Sequence, residues 1–145
     1  MAGDFVVDNS VVMAWCFLEE ENEPADAALD ALTRVTAHVP SVWPLEVLNV
    51  LLAAERRNRI GPADSIRFLE LLEQLPIEVE NEAVARRTGD LLHLSRACGL
   101  SSYDASYLDL ALRKGMPLAT ADRGLIRAAR KCQVSLFSSH PEHRP

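Results

Sequence analysis

Brief apolar, β-branched segments recur along this chain, and most successive pairs are separated by about 30 or more residues of helical pattern. Antiparallel neighbours are joined by a turn of a few residues, whereas parallel strands need a long crossover, usually a helix. The spacing therefore predicts right-handed crossovers and an α/β fold: a mostly parallel central sheet of about five strands, covered by helices on both faces. Strands are expected at residues 5–7, 38–39, 77–79, 116–120 and 134–137.

The helical stretches carry their own punctuation. One resumes at Val11 after the polar turn Asp8, Asn9 and Ser10, and a second opens at Pro24 after a loop formed by the acidic run 19–23. Pro40 to Pro44 opens a strongly apolar helix through Leu45, Leu48, Leu51 and Leu52, and Gly61 and Pro62 start another with Ile66, Leu69, Leu72 and Leu75 on one face. Residues 81–98 read as one long helix stopped by Gly99, and residues 103–114 as a helix capped by Ser102 and stopped by Gly115. Asp122 caps a last helix running to Lys131. Residues 1–138 are expected to form one domain, with 139–145 a polar tail in which His140 and His143 belong to tail composition rather than to a metal site.

At 145 residues the chain can bury roughly 70% of its unfolded surface without a disulfide or structural metal. Lys plus Arg number 15 and Asp plus Glu 21, a net charge of -6, which excludes a protein that holds nucleic acid through bulk positive charge. The acidity is uneven: residues 1–75 hold 5 basic and 13 acidic side chains, residues 76–145 hold 10 and 8. Cys16, Cys98 and Cys132 are too scattered and odd in number for a disulfide framework or a metal knuckle, which points to a reducing, cytoplasmic compartment. No signal segment is visible, and the apolar stretch 47–54, broken by Asn49, is too short to span a bilayer.

Parallel sheets place their sites at the carboxyl ends of the strands. Asp8 directly follows the first strand and Asp122 the fourth, while Glu46 and Asp104 lie in the opening turns of helices that must begin at the same edge. Each acid alone has an ordinary reading: Asp122 as an N-cap, Asp104 as a favourable charge on a helix dipole, Asp8 as a turn organiser, Glu46 as an exposed helix-start acid. Together they pose an electrostatic problem, since two like charges about 4 Å apart at an effective dielectric of about 20 repel by roughly 4 kcal/mol. No Lys or Arg cluster accompanies them. All-oxygen ligands select hard divalent ions, so Mg²⁺ or Mn²⁺ is the natural neutraliser, and such an ion acidifies water and stabilises charge on a phosphoryl oxygen. The chemistry that fits is phosphodiester hydrolysis.

The segments VVDNS at 6–10, PLEVLNVL at 44–51, SSYDASYLDLALRKGMPLATAD at 101–122 and the RGLIRAA that follows resemble a PIN-domain ribonuclease, in particular the VapC toxins of bacterial toxin–antitoxin pairs. The resemblance spans nearly the whole chain, weakest at 19–40 and 61–99. It implies a compact three-layer α/β fold, usually a homodimer, whose acidic site cleaves RNA with Mg²⁺ or Mn²⁺ and is restrained by a small VapB-like antitoxin. Carried over by position, the catalytic and metal-holding residues are Asp8, Glu46, Asp104 and Asp122, with Asp8 and Asp104 central. Ser10 and Thr120 are supporting hydroxyls that orient carboxylate or water. Asp109, about 140° around the helix from Asp104, reads as surface or structural.

Arg123, Arg127 and Arg130, with Lys131, recur at near-helical spacing beside this set and are candidates to grip RNA phosphates; Arg56, Arg57 and Arg59 form a second candidate patch. Trp15, Trp43, Tyr103 and Tyr107 read as core or dimer-contact aromatics. An aspartyl-phosphate phosphotransferase is disfavoured, because no Lys follows a strand and Ser10 stands where a second Asp would be needed. A catalytically silent binding protein of the same fold, sequestering RNA or a protein partner, is the alternative from another class.

Overall fold

The computed structural model describes residues 3–17 and 23–138; most of the acidic run 19–23 and the whole tail with His140 and His143 lie outside them. Four parallel strands form one sheet: β1 (Phe5–Val7), β2 (Ala37–Val39), β3 (Ile77–Val79) and β4 (Leu118–Ala119), in the order β3-β2-β1-β4. Successive residues of a strand face opposite sides of its sheet. All three side chains of β1 are fully buried, so both faces are covered at the sheet's centre. Burial fades towards β3, whose Glu78 and Val79 are exposed at the edge.

Seven α-helices, among the described residues, connect and cover the strands: α1 (Asn9–Cys16), α2 (Glu23–Ala31), α3 (Trp43–Arg56), α4 (Pro62–Glu73), α5 (Thr88–Cys98), α6 (Ser102–Lys114) and α7 (Arg123–Lys131). α6 is the most deeply set; every residue from Ala105 to Ala111 is buried, and the helix packs against β1, β4, α5 and α7. Both α5 and α6 end on a glycine in the left-handed conformation, Gly99 and Gly115 at φ 64°, where a side chain would be strained.

Three expectations need correction. Residues 134–137 do not extend the sheet as a fifth strand: a single bridge joins Leu136 to Leu118, flanked by hydrogen bonds from Leu118 N to Ser135 O (2.9 Å) and from Phe137 N to Leu118 O (2.9 Å). The helix expected over 81–98 starts only at Thr88, after a 3-10 turn at Val84–Arg86. Residues 81–86 are all exposed and offer no apolar face to hold a longer helix down. Ser101 rather than Ser102 caps α6, its hydroxyl accepting from Asp104 N at 3.1 Å.

Asp109 proves structural. It is buried on α6 and accepts from two arginines, Arg87 (Nη2 to Oδ1, 2.7 Å) and Arg113 (Nε to Oδ2, 2.9 Å), while Arg113 also forks onto Glu80 beyond β3. The acid thus ties α6 to the segment before α5 and to the outer edge of the sheet. Asp109→Ala removes the buried carboxylate that Arg87 and Arg113 share, leaving them only the outer partners Asp90 and Glu80, and is expected to lower unfolding free energy by about 2–3 kcal/mol in urea titrations, with Asp109→Asn costing less. A loss within about 0.5 kcal/mol, the range of an ordinary surface substitution, would contradict this role.

Candidate active site

From β1 the chain moves outward through β2 to β3 and then returns to the other side of β1 for β4. The strand order therefore reverses between β1 and β4, and at such a point the crossovers diverge to opposite faces and leave a crevice beyond the carboxyl ends. The register sets Val7 beside Ala119, so Asp8 and Thr120 emerge side by side into that crevice.

Asp8 is buried and caps α1. Its Oδ1 accepts from Ser10 N (2.6 Å), Ser10 Oγ (2.6 Å) and Val11 N (3.3 Å), and its Oδ2 accepts from Thr120 Oγ1 (2.5 Å). The two hydroxyls in turn bind the β4 side: Ala121 N donates to Ser10 Oγ (3.3 Å) and Asp122 N to Thr120 Oγ1 (3.0 Å). Burial pushes the Asp8 carboxyl up, with its hydrogen-bond donors pulling the other way. Asp122 caps α7, its Oδ2 accepting from Leu125 N at 2.9 Å. At Gly124 a Cβ would lie 3.2 Å from that Oδ2, so the absence of a side chain there keeps the cap uncrowded.

Glu46, in the first turn of α3, and Asp104, in the first turn of α6, are both half-buried. Desolvation raises both carboxyls, and neighbouring acids add to it: Asp104 and Asp8 for Glu46, Asp122 and Asp8 for Asp104. The fold thus links Asp8, Glu46, Asp104 and Asp122, from four segments, through Asp104, which lies within electrostatic reach of the other three. Among the described residues no Lys or Arg forms an ion pair with any of the four. Nor do any three acid, His or Cys side chains there close around a single point at ligand distance. The chemistry of the four acids, an uncompensated all-oxygen set, fits a hard divalent cation.

Sequence reasoning missed Tyr107. Expected as a core or dimer-contact aromatic, it is buried one turn beyond Asp104 on the same face of α6, and its hydroxyl donates to Glu46 Oε1 at 2.5 Å. Burial and the adjacent Glu46 hold the phenol far above its usual value, so it remains a donor. The i, i+3 spacing from Asp104 was the available signal. Trp15 and Trp43 are buried, whereas Tyr103, beside Asp104, is 56% exposed.

Arg123, Arg127 and Arg130 are exposed along α7, starting directly after Asp122. Arg56, Arg57 and Arg59 lie at the far end of α3, roughly 15 Å along its axis from Glu46, and Arg59 stacks on Phe17 with 3.9 Å between guanidinium carbon and ring centroid. That patch is therefore remote from the four acids. Among the described residues no helix is long and apolar enough to cross a membrane.

Comparison with known proteins agrees with this architecture. The model of the PIN domain family matches residues 5–131. Ribonuclease VapC3 of Pyrobaculum aerophilum is 30% identical over 120 residues, 83% of this chain and 90% of that protein. Among solved structures, PAE2754 from Pyrobaculum aerophilum superposes with a TM-score of 0.66 at 24% identity, covering 88% of this chain and 87% of that one. FitAcB from Neisseria gonorrhoeae gives 0.60 at 21% identity, covering 94% and 99%. At those identities the two structures speak for the fold alone.

The raised Glu46 and Asp104 carboxyls have a consequence for stability. The native state binds protons at these sites more tightly than the unfolded chain, whose acids titrate near 4, so stability falls as pH rises from that range through the elevated native values. In metal-free buffer, melting temperature is expected to rise on acidification from neutral pH. The double variant Glu46→Gln, Asp104→Asn should show a flatter dependence and gain, at neutral pH, only about 0.5 kcal/mol because both groups are partly solvent-screened. An unchanged pH slope in the variant would show that the acids do not strain one another.

Proposed function

Because the chain belongs to the PIN-domain family, we propose that it is a metal-dependent endoribonuclease hydrolysing RNA phosphodiester bonds, and the toxin of a toxin–antitoxin pair. The observation that carries this reading is the uncompensated meeting of four acids at the reversal point of the sheet. The match over most of its length to a protein named as a ribonuclease supports the RNA substrate.

In this reading Asp8, Glu46, Asp104 and Asp122 hold Mg²⁺ or Mn²⁺. The ion supplies neutralisation of the converging charges, acidification of water and stabilisation of the phosphoryl oxygens. The protein's own residues set the frame. Ser10 and Thr120 fix both oxygens of Asp8, so that this carboxylate is preset in one orientation. The caps made by Asp122 and Ser101 place two helix N-termini, with their partial positive charge, at the crevice where a phosphate would enter. Arg123, Arg127 and Arg130 extend outward from the same rim and bind the flanking backbone phosphates.

Protein partners, a small VapB-like antitoxin and a second copy in a homodimer, are supported by apolar surface left uncovered on α3 and α4. Leu45, Leu48 and Leu52 are exposed along one stripe, and a groove of about 300 Å³ runs between the helices beside Trp43, whose buried indole N–H has no acceptor among the described residues. A cytoplasmic location suits both the RNA substrate and a chain with only three, widely scattered cysteines.

The test is cleavage of end-labelled RNA. Product is expected with Mg²⁺ or Mn²⁺ and none in excess chelator, with Asp8→Asn and Asp104→Asn losing at least about a hundredfold in rate while remaining folded, since Asn caps α1 well in place of Asp8 and the α6 cap belongs to Ser101. In the same assay Arg127→Ala with Arg130→Ala should weaken RNA binding and flatten its dependence on salt. Undiminished turnover in chelator, or in both Asn variants, would remove the metal mechanism.

A further inference from the structure

Tyr107 reaches the crevice but belongs neither to the four acids nor to the hydroxyls on Asp8. Its position is unusual for a tyrosine read as core. It is 1% exposed, yet its hydroxyl reaches across 61 residues of sequence to a carboxylate on another helix. The same helix face delivers Asp104 one turn earlier, so α6 supplies one acid directly and grips a second.

We infer that Tyr107 is a positioning residue that fixes the Glu46 carboxylate: by donating to Oε1 it restrains the side chain and leaves Oε2 available to a cation shared with Asp8 and Asp104. Glutamate at the start of a helix has several rotamers of similar energy, and nothing else in the described residues hydrogen-bonds to its carboxylate. Ordering that side chain beforehand removes an entropic cost from ion binding, and groups that orient a metal ligand in this way change affinity by about 10–100-fold. The inference rests on the metal-dependent reading above.

The experiment is Mn²⁺ titration by calorimetry on the full chain, native and Tyr107→Phe, each in the native and the Glu46→Gln background. Phe keeps the ring and its packing and removes only the donor. The expected result is an Mn²⁺ affinity about tenfold weaker in Tyr107→Phe, with no further loss when Glu46 is already Gln, and an RNA KM unchanged while kcat falls. Equal affinity in native and Tyr107→Phe would overturn the inference while leaving the metal reading intact. Equal losses in both backgrounds would also overturn it, since Tyr107 would then act without Glu46. Failure of the native protein to bind Mn²⁺ would overturn the metal reading and this inference with it.

A different observation carries a second site. Cys98, the last residue of α5, and Cys132, which follows α7, are 34 residues apart in sequence but their sulfurs lie 3.9 Å apart, beside a bond from Lys131 Nζ to Ala97 O at 2.7 Å that joins the same two helix ends. A disulfide needs a separation of about 2.05 Å, an approach of about 2 Å. The geometry points to reversible disulfide formation between Cys98 and Cys132 with a small organic disulfide as oxidant. One thiolate attacks a sulfur of the oxidant and expels a thiolate; the second attacks the resulting mixed disulfide and expels the other half. Two electrons pass from the cysteines to the oxidant, which departs as two thiols. The closed loop would contain Asp104, Tyr107, Thr120 and Asp122.

Treatment with oxidised glutathione is expected to reduce the titratable thiols of the denatured chain from three to one, with a Cys98–Cys132 peptide on digestion and a raised melting temperature. Cys132→Ser should abolish the crosslink and the shift. Three thiols surviving the oxidant, or glutathione adducts on both cysteines without an intrachain bond, would overturn the assignment.

Discussion

The Asp8 carboxylate is where the architecture converges. A charge this deeply buried is costly unless its lone pairs are occupied, and here they are met by the first turn of α1, the Ser10 hydroxyl and the Thr120 hydroxyl. Those partners come from both sides of the sheet's reversal point, so the interaction that makes burial of Asp8 tolerable also registers β1 against β4 and sets the directions of α1 and α7. The neighbouring acids have no comparable partners. Glu46 has a single phenol, and its carboxyl and that of Asp104 both feel the charge of Asp8. The crevice is therefore a hydrogen-bonded anchor beside carboxylates that no cationic side chain among the described residues neutralises.

Much of this was legible from residue order because parallel sheets impose a strict geometry. An acid immediately after a strand and an acid in the first turn of a returning helix must share an edge, and this is why Asp8, Glu46, Asp104 and Asp122 were foreseeable as neighbours without knowing any distance. The roles of Ser10 and Thr120 came from resemblance, and the structure places both hydroxyls on Asp8. Tyr107 was not legible because burial of an aromatic is its ordinary fate, and only the partner on α3 distinguishes this one. The pairing of Asp109 with Arg87 and Arg113 was hidden in part for the same reason: Arg87 lies 22 residues away in a segment whose helical period was misleading.

Where the fold departs from expectation, packing outweighed local pattern. Residues 134–137 have the β-branched and apolar composition of a strand, yet β4 itself is only two residues long and offers a partner for a single bridge. Gln133, in the left-handed region at φ 61°, turns the chain just before it, and Phe137 meets Phe5 with ring centroids 4.3 Å apart. The segment works as a side-chain lid on the end of the core more than as a sheet edge. The cysteines make the converse point: scattered positions that exclude a motif can still be neighbours once two helices terminate at one corner.

The bond between Asp8 and Thr120 spans 112 residues. Of the four strands among the described residues, β1 comes first in the chain and its neighbour at the crevice, β4, comes last. During translation β1 can pair with β2 early, but its other edge stays open until β4 has emerged. A nascent polypeptide carries Asp8 and Glu46 long before it carries Thr120 or Asp122. The topology therefore imposes an order: the crevice is incomplete until the segment carrying Thr120 and Asp122 has been added to the chain.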